Sequence, residues 1–552
     1  MAYKLLYRFP FVIYFLPAKK LMNKIELLKT EKDGLDIKPD IERFAKEGWE
    51  SIGEDDIERL KWYGLFLRKP TPGFFMLRVR IPNGYTHSYQ FRALAEIAWK
   101  FGNGLIDITT RQQVQIRHLK IENVPEVLEL LEAAGLNSIQ TGLDNVRNIM
   151  GCPVAGLNPK EILNAFPVVE SLTEHILENR AFSNLPRKFN IAITGCPDNC
   201  IHSETQDLAL VPARREDSDK EVFGFNVLAG GKLGSGGYRI ASSLDIFLTP
   251  EEVVEVCSEI IAIFRDHGDR EVRTRNRLAF LLEDWGEDRF RQELSKRLKR
   301  PLTRSGTDLR LDEHSEHIGI YRQKQPNMNF VGIKIPVGRL SGEQFEHIAE
   351  LAEKYGNGEI RISPSQTLIL PNISDRKLGD LLEEDLLKEF DYNPHTVIKG
   401  LVSCVGKDYC SLAIIETKTR AREVADKLSQ KLKNTAPLTM HWSGCPAGCG
   451  NHLVADIGLI GKRAKVDGQV VDAVDVFVGG RSGKHAKLAI KILEDVPCDR
   501  LPEVLEQVIP YHSRKKMHPI RNKKRKPPGK SIRKADGAQD LSQPPLPGVQ
   551  AN

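Results

Sequence analysis

No apolar run in this chain approaches the roughly 20 residues that a helix needs to cross a bilayer, so no segment reads as a membrane span. Cysteine is scarce. Nine residues in 552 are too few and too clustered for a disulfide framework, and their grouping suggests metal ligation in a reducing compartment. A secretory leader lacks its parts: the apolar run from Phe9 to Pro17 follows Lys4 and Arg8, but it holds two prolines, has no small-residue cleavage site and runs into Lys19 and Lys20. An over-extended start before Met22, or an unstructured leader, is the reading this favours, with a cytoplasmic location. The Gly-rich stretch Gly230–Gly237 lacks the spacing and acidic partner of a dinucleotide fingerprint. Acids are absent between Arg514 and Lys534, where 11 Lys or Arg leave the rest of the +6 chain at −5. The Pro-rich tail from Tyr511 is therefore expected to be disordered, with nonspecific contact to nucleic acid or an acidic partner as its only binding role.

What is present begins with length. At 552 residues, with 41% apolar and 28% charged residues, the chain reads as a soluble globular protein of two to four domains. It also repeats itself. The stretch QFRALAEIAWKFGNG from Gln90 matches QFEHIAELAEKYGNG from Gln344 at an offset of 254, which also aligns Arg80-Ile81-Pro82 with Lys334-Ile335-Pro336. TGCPDNC (Thr194 to Cys200) matches SGCPAGC (Ser443 to Cys449) at an offset of 249, and Gly230-Gly231 pairs with Gly479-Gly480 at the same offset. The chain is two diverged copies of a unit of about 250 residues. In the first copy, alternation of Phe75, Leu77, Val79 and Ile81 predicts a strand. Phe91, Leu94, Ala98 and Phe101 predict a helix closed by Gly102-Asn103-Gly104. A second strand over Leu105 to Ile116 and a helix around Val124 to Ala134 follow, making a small α+β unit.

Cys404 and Cys410 are separated by five residues, 34 more precede Cys445, and Cys449 follows with three between. Four thiolates suit zinc or an iron–sulfur cluster, and the wide first gap argues mildly against zinc. Glycines 406, 444, 448 and 450 let backbone approach a bulky cluster.

This pattern, C-x5-C then C-x3-C within HWSGCPAGCG, resembles the siroheme- and [4Fe–4S]-dependent nitrite and sulfite reductases, over roughly Ile57 to Ile509. The resemblance implies that Cys404, Cys410, Cys445 and Cys449 hold a [4Fe–4S] cluster and that Cys449 also bridges to the siroheme iron. It implies an α+β fold with a pseudo-twofold repeat, each half a small ferredoxin-like subdomain followed by a larger α+β siroheme and cluster subdomain. The expected divisions are a leader and extension (1–56), a first ferredoxin-like half-domain (57–145) and a first siroheme domain carrying the substrate cations (146–310). A second half-domain (311–395), the cluster and siroheme domain (396–510) and the basic tail (511–552) complete the chain.

Siroheme carries carboxylates and the substrate is an anion, so buried cations are needed, and an arginine fork grips an oxyanion best. Three motifs match the family's anion pocket: Thr109-Thr110-Arg111-Gln112-Gln113, Asn145-Val146-Arg147-Asn148 and Leu185-Pro186-Arg187-Lys188-Phe189-Asn190. Carried over, Arg111, Arg147 and Lys188 face the distal side of the siroheme iron and Asn190 completes the pocket. Thr110, Gln113 and Arg187 bind siroheme, as does Arg481 beside Gly479-Gly480, and the Gly230–Gly237 loop is expected near its carboxylates. The repeat supports this division, because the second copy has Pro364 and Ser365 where the first has Thr110 and Arg111. The first copy keeps only Cys152, Cys196 and Cys200, which read as a remnant of the cluster motif, while Cys257 and Cys498 read as structural. Asparagine rather than a second lysine at 190 resembles the ferredoxin-dependent nitrite reductases, and one cation fewer disfavours a dianion such as sulfite. The expectation is six-electron reduction of nitrite to ammonia. Sulfite reduction to sulfide, or modification of a precorrin on the same scaffold, are the alternatives. No flavin or nicotinamide domain is attached, so the donor is expected to be ferredoxin or flavodoxin, and the protein a monomer.

Overall fold

The computed structural model describes residues 23–517 except 218–219, 235, 313–314 and 434, with backbone alone from 512 to 517. Residues 1–22 and the basic tail beyond 517 lie outside the described residues. The last helix, Leu501–Met517, continues past the expected start of the tail at 511. Among the described residues, no helix is long and apolar enough to cross a membrane.

The repeat is visible as four main sheets. In the first copy, strands Leu65–Arg68, Thr71–Val79, Val114–Leu119 and Leu105–Ile108 lie side by side, backed by helices Ser88–Lys100 and Val124–Ala133. In the second, Gly319–Arg322, Met328–Lys334, Thr367–Ser374 and Glu359–Ile362 form the same array behind helix Gly342–Tyr355. The two half-domains are not separate bodies. Each ends its sheet with a three-residue strand lent by the other: Arg339–Ser341 pairs with Leu105–Ile108, and Tyr85–His87 pairs with Glu359–Ile362. One hydrophobic core runs through both. At its centre Phe91 and Phe345, which are repeat equivalents, stack with ring centroids 4.3 Å apart. The exchange caps both sheet edges, which would otherwise present unpaired backbone to solvent.

The expected strand over Leu105 to Ile116 is two strands. Leu105–Ile108 and Val114–Leu119 are joined by a tight turn over Thr109–Gln113, closed by the Thr109 N–H donating to the Gln113 carbonyl at 2.9 Å. Gln112 takes the left-handed conformation there (φ 55°). Its buried amide compensates, donating to the carbonyls of Asn83, Gly151 and Ile362 at 2.9 to 3.1 Å and accepting from the Gly151 N–H. Gln366 does the equivalent work in the second copy, bonding Ile108 and Ser403. Each turn is thereby locked against both halves of the molecule.

The larger units share one topology. Met150–Gly151, Ile191–Ile193 and Leu208–Asp217 run parallel before Lys220–Ala229 and Ser242–Leu248 turn antiparallel. Leu401–Ser403, Met440–Ser443, Ile457–Val466, Gln469–Val478 and Ile490–Pro497 repeat that order. In both, the cysteine loop leaves the end of the second strand.

A candidate cofactor and anion site

The sheet of the first half has one face against its helices. Alternation sends Leu77, Val79 and Ile116 into that core and leaves Met76, Arg78, Gln115 and Arg117 on the other face. That second face is one wall of a cavity between the two copies. The opposite wall is Ser403, Cys404, Cys410 and the loop Gly444–Cys449 from the second copy. All four predicted cluster cysteines thus meet Thr110, Arg111, Gln113 and Asn190 in one space. The two copies are joined there: the Thr110 hydroxyl donates to the Cys449 carbonyl at 2.9 Å.

The cysteine loop is held by close backbone contact. Gly444 N–H donates to Cys404 Sγ at 3.1 Å, and burial pushes the Cys404 thiol up to about 11. The Gly230–Gly237 loop packs on this segment: a Cβ at Gly234 would lie 2.4 Å from the Ala447 carbonyl oxygen, and Gly234 has φ +80°. Tyr238 hydroxyl donates to the Pro446 carbonyl at 3.1 Å. Among the described residues, the three-ligand group with all its atoms within 4.8 Å of one another is elsewhere. The four thiols are spread more widely than a single zinc ion requires, which suits a multi-iron cluster.

The cations divide by what holds them. Arg277 forks onto buried Asp207 at 2.8 and 2.6 Å, and Arg117 bonds Asp107 and Gln115. Arg147 is committed to the carbonyls of Thr141 and Leu143 at 2.8 and 2.7 Å. The guanidinium of Arg111, the ammonium of Lys188 and the guanidinium of Arg68 make no hydrogen bond or ion pair among the described residues. Burial, then neighbouring cations, push Arg78, Arg147 and Lys188 down from their ordinary values; Lys188 feels Arg111 and Arg277 and lies well below the usual lysine range. Burial likewise lowers Arg111. Crowded cations without anions are the electrostatic signature of a site that takes up an anionic ligand.

Four predicted residues stand off the cavity wall. Lys188 lies close enough to sense Arg111 and Cys449 but does not line the wall. Arg147 braces the backbone beneath it. Arg187 lies 4.0 Å from Asp144, a carboxylate it shares with Arg273 and Lys29. Arg481 is exposed and donates to the His485 carbonyl. Sequence reasoning missed Arg68, Arg78, Arg117 and Arg277, although Arg78 and Arg117 were legible as the polar positions of alternating strands. The lining also carries two buried polar atoms without a protein partner, Asn190 Oδ1 and Gln113 Nε2. With the free cations and four thiols, these fit a carboxylate-bearing tetrapyrrole beside an iron–sulfur cluster.

Comparison with known proteins points to one family. Residues 142–302 and 397–526 match the nitrite and sulphite reductase 4Fe-4S domain, and 67–134 and 321–385 match the nitrite/sulfite reductase ferredoxin-like half domain. A ferredoxin–nitrite reductase of Synechococcus elongatus is 44% identical over 495 residues, covering 88% of this chain and 96% of that one. Another, from Leptolyngbya laminosa, is 42% identical over 90% of this chain and 98% of its own. The solved structure of the Mycobacterium tuberculosis NirA protein superposes with a TM-score of 0.84 at 30% identity, covering 89% of this chain and 93% of that one.

Proposed function

The chain belongs to the nitrite and sulfite reductase family, and from that membership we propose how its own residues divide the work within the cavity. Its activity is that of a ferredoxin-dependent nitrite reductase, the six-electron reduction of nitrite to ammonia. Siroheme and a [4Fe–4S] cluster, when bound, supply electron storage and the iron at which nitrite is reduced. The single observation that carries the assignment of roles is the meeting, in one cavity, of four thiols from the second copy with unpaired cations from the first.

Cys404, Cys410, Cys445 and Cys449 would hold the cluster, and the Cys449 thiolate would also serve the siroheme. Arg68 would meet siroheme carboxylates, with Arg78, Gln113 and Thr110 beside it, while Arg117, held by Asp107, completes the wall. Arg111 grips the substrate oxyanion. Lys188, behind the wall and close to Arg111, adds positive charge on the substrate side of the cavity. Arg147, Arg277 and Asp207 keep this array in place. One chain builds the whole cavity, so a monomer suffices, and its free thiols suit a reducing compartment such as the cytoplasm. Ferredoxin is the donor, and flavodoxin is a workable substitute because the cluster needs only single electrons.

Two measurements test this reading. The holoprotein is expected to contain about four cluster irons and one siroheme iron per chain; a protein purified without iron refutes it. Second, Asn190→Lys is expected to move specificity toward sulfite. Asn190 lines the cavity with an unpartnered Oδ1 while its N–H is fixed by Asp207 at 2.8 Å. A lysine there adds a cation beside Lys188 and Arg277, favouring a dianion. A charged hydrogen bond is worth about 1.5–3 kcal/mol, or roughly a ten- to hundredfold change in the sulfite-to-nitrite ratio of kcat/KM. An unchanged ratio at matched siroheme content removes position 190 from substrate choice.

A further inference from the structure

The first copy holds a second thiol group that the cavity does not use. Strand register shows where it comes from. Met150 and Gly151 pair with Ala192 and Ile193, and Val402 and Ser403 pair with His441 and Trp442. Ala192 and Ile193 are the equivalents of His441 and Trp442 at the offset of 249. Cys152, the next residue, therefore stands where Cys404 stands, and Cys196 and Cys200 stand where Cys445 and Cys449 do. Six residues beyond Cys152, at the place of Cys410, is Asn158. Three of the four cluster ligands are retained and the fourth is an amide.

That substitution removes the fourth thiolate a [4Fe–4S] cluster takes, and the site has contracted accordingly. Cys152 and Cys200 Sγ lie 4.0 Å apart. Each of these thiols and a ring nitrogen of His317 fall within 4.8 Å of one another, all buried. Tetrahedral zinc, with Zn–S near 2.3 Å and Zn–N near 2.0 Å, sets its ligand atoms roughly 3.5–3.8 Å apart. A disulfide would need about 2.05 Å. Cys196, 1% exposed, is next to this group, and Asn158 Nδ2 donates to its Sγ at 3.1 Å. An amide donating to a ligand sulfur is the usual outer support of a thiolate metal site.

We propose that Cys152, Cys200 and His317 hold a structural zinc ion distinct from the redox centre, with the neighbouring Cys196 thiol available as a fourth ligand. His317 lies two residues before the strand Gly319–Arg322 that opens the second copy, whereas the three cysteines belong to the first. Phe330 and Ile369 of the second copy pack around the same thiols. The ion ties the two copies together at their junction, and the ancestral cluster loop has become a staple.

Metal analysis of the holoprotein, after passage over a chelating resin, is expected to find about one zinc per chain beside the iron. X-ray absorption at the zinc edge is expected to show sulfur near 2.3 Å and nitrogen near 2.0 Å. Cys152→Ser and His317→Gln are expected to lose the zinc while iron content and the siroheme spectrum persist. Cys257→Ser, a buried thiol in a helix elsewhere, is expected to keep it. Iron-replete wild-type protein without zinc overturns the proposal, as does zinc with an all-oxygen shell or zinc that survives in folded Cys152→Ser and His317→Gln. If the serine variant does not fold, the wild-type stoichiometry and the zinc-edge spectrum still decide.

Discussion

Cys449→Ser is expected to strip the cluster and uncouple siroheme in one step, taking iron from about five per chain to about one or none. Cys200→Ser, at the equivalent point of the first copy, is expected to keep its iron. The asymmetry follows from surroundings. Cys449 opens onto the cavity with Cys404, Cys410 and Cys445, and its carbonyl is held by the Thr110 hydroxyl across the junction of the copies. A serine hydroxyl there is a far weaker ligand for iron than a thiolate, and one sulfur is assigned to both cofactors. Cys200 lies among Met150, Val154, Ala192 and Phe330 in a separate small core, away from the cavity wall. Its loss removes zinc on the proposal above and leaves the redox centre ligated. Iron, labile sulfide and the visible spectrum of both variants check this. Equal iron loss in the two, or intact iron in Cys449→Ser, contradicts the division of labour.

How much of this was legible in the sequence depended on the range of the signal. Repeats and cysteine spacing are carried by the chain itself, so the twofold plan and the grouping of the four cysteines that line the cavity were readable. The exchange of Tyr85–His87 and Arg339–Ser341 was not, because alternation shows that a segment is a strand and not which distant strand it joins. The turn at Thr109–Gln113 was also hidden. It has no Gly, Pro or Asn to announce it, and Gln112 adopts a positive φ only because four buried hydrogen bonds secure its side chain. Motif matching grouped Arg147 with Arg111, but local hydrogen bonding separates them, since a nearby carbonyl can claim a guanidinium before any ligand does. Arg78 and Arg117 escaped because a cation in an alternating strand reads as solvent-facing until the sheet's other face proves to be a cavity.

The second large effect is expected from Arg111→Ala, a fall of about 10² to 10³ in kcat/KM for nitrite at matched siroheme and iron content, comparable to losing one preorganised donor to a developing oxyanion. Every part of Arg111 except its guanidinium is fixed. Its N–H donates to the Thr109 hydroxyl at 3.3 Å, its carbonyl accepts from Asn148 Nδ2 at 3.0 Å, and the next residue is Gln112 with its buried clamp. The guanidinium has no acceptor among the described residues, whereas Arg147, Arg277 and Arg117 already have theirs. A cation whose backbone is rigid and whose fork is unpaired loses little entropy on gripping an anion and breaks no protein bond to do so. Arg147→Ala should differ in kind. It removes two hydrogen bonds that brace Thr141 and Leu143, so its cost is expected mainly in thermal stability, about 1–3 kcal/mol for a buried bonding group. Steady-state kinetics with reduced ferredoxin, read beside melting temperatures, separate the two. If Arg111→Ala turns over nitrite as the wild type does, the substrate is held elsewhere in the cavity, and Lys188 becomes the group to examine.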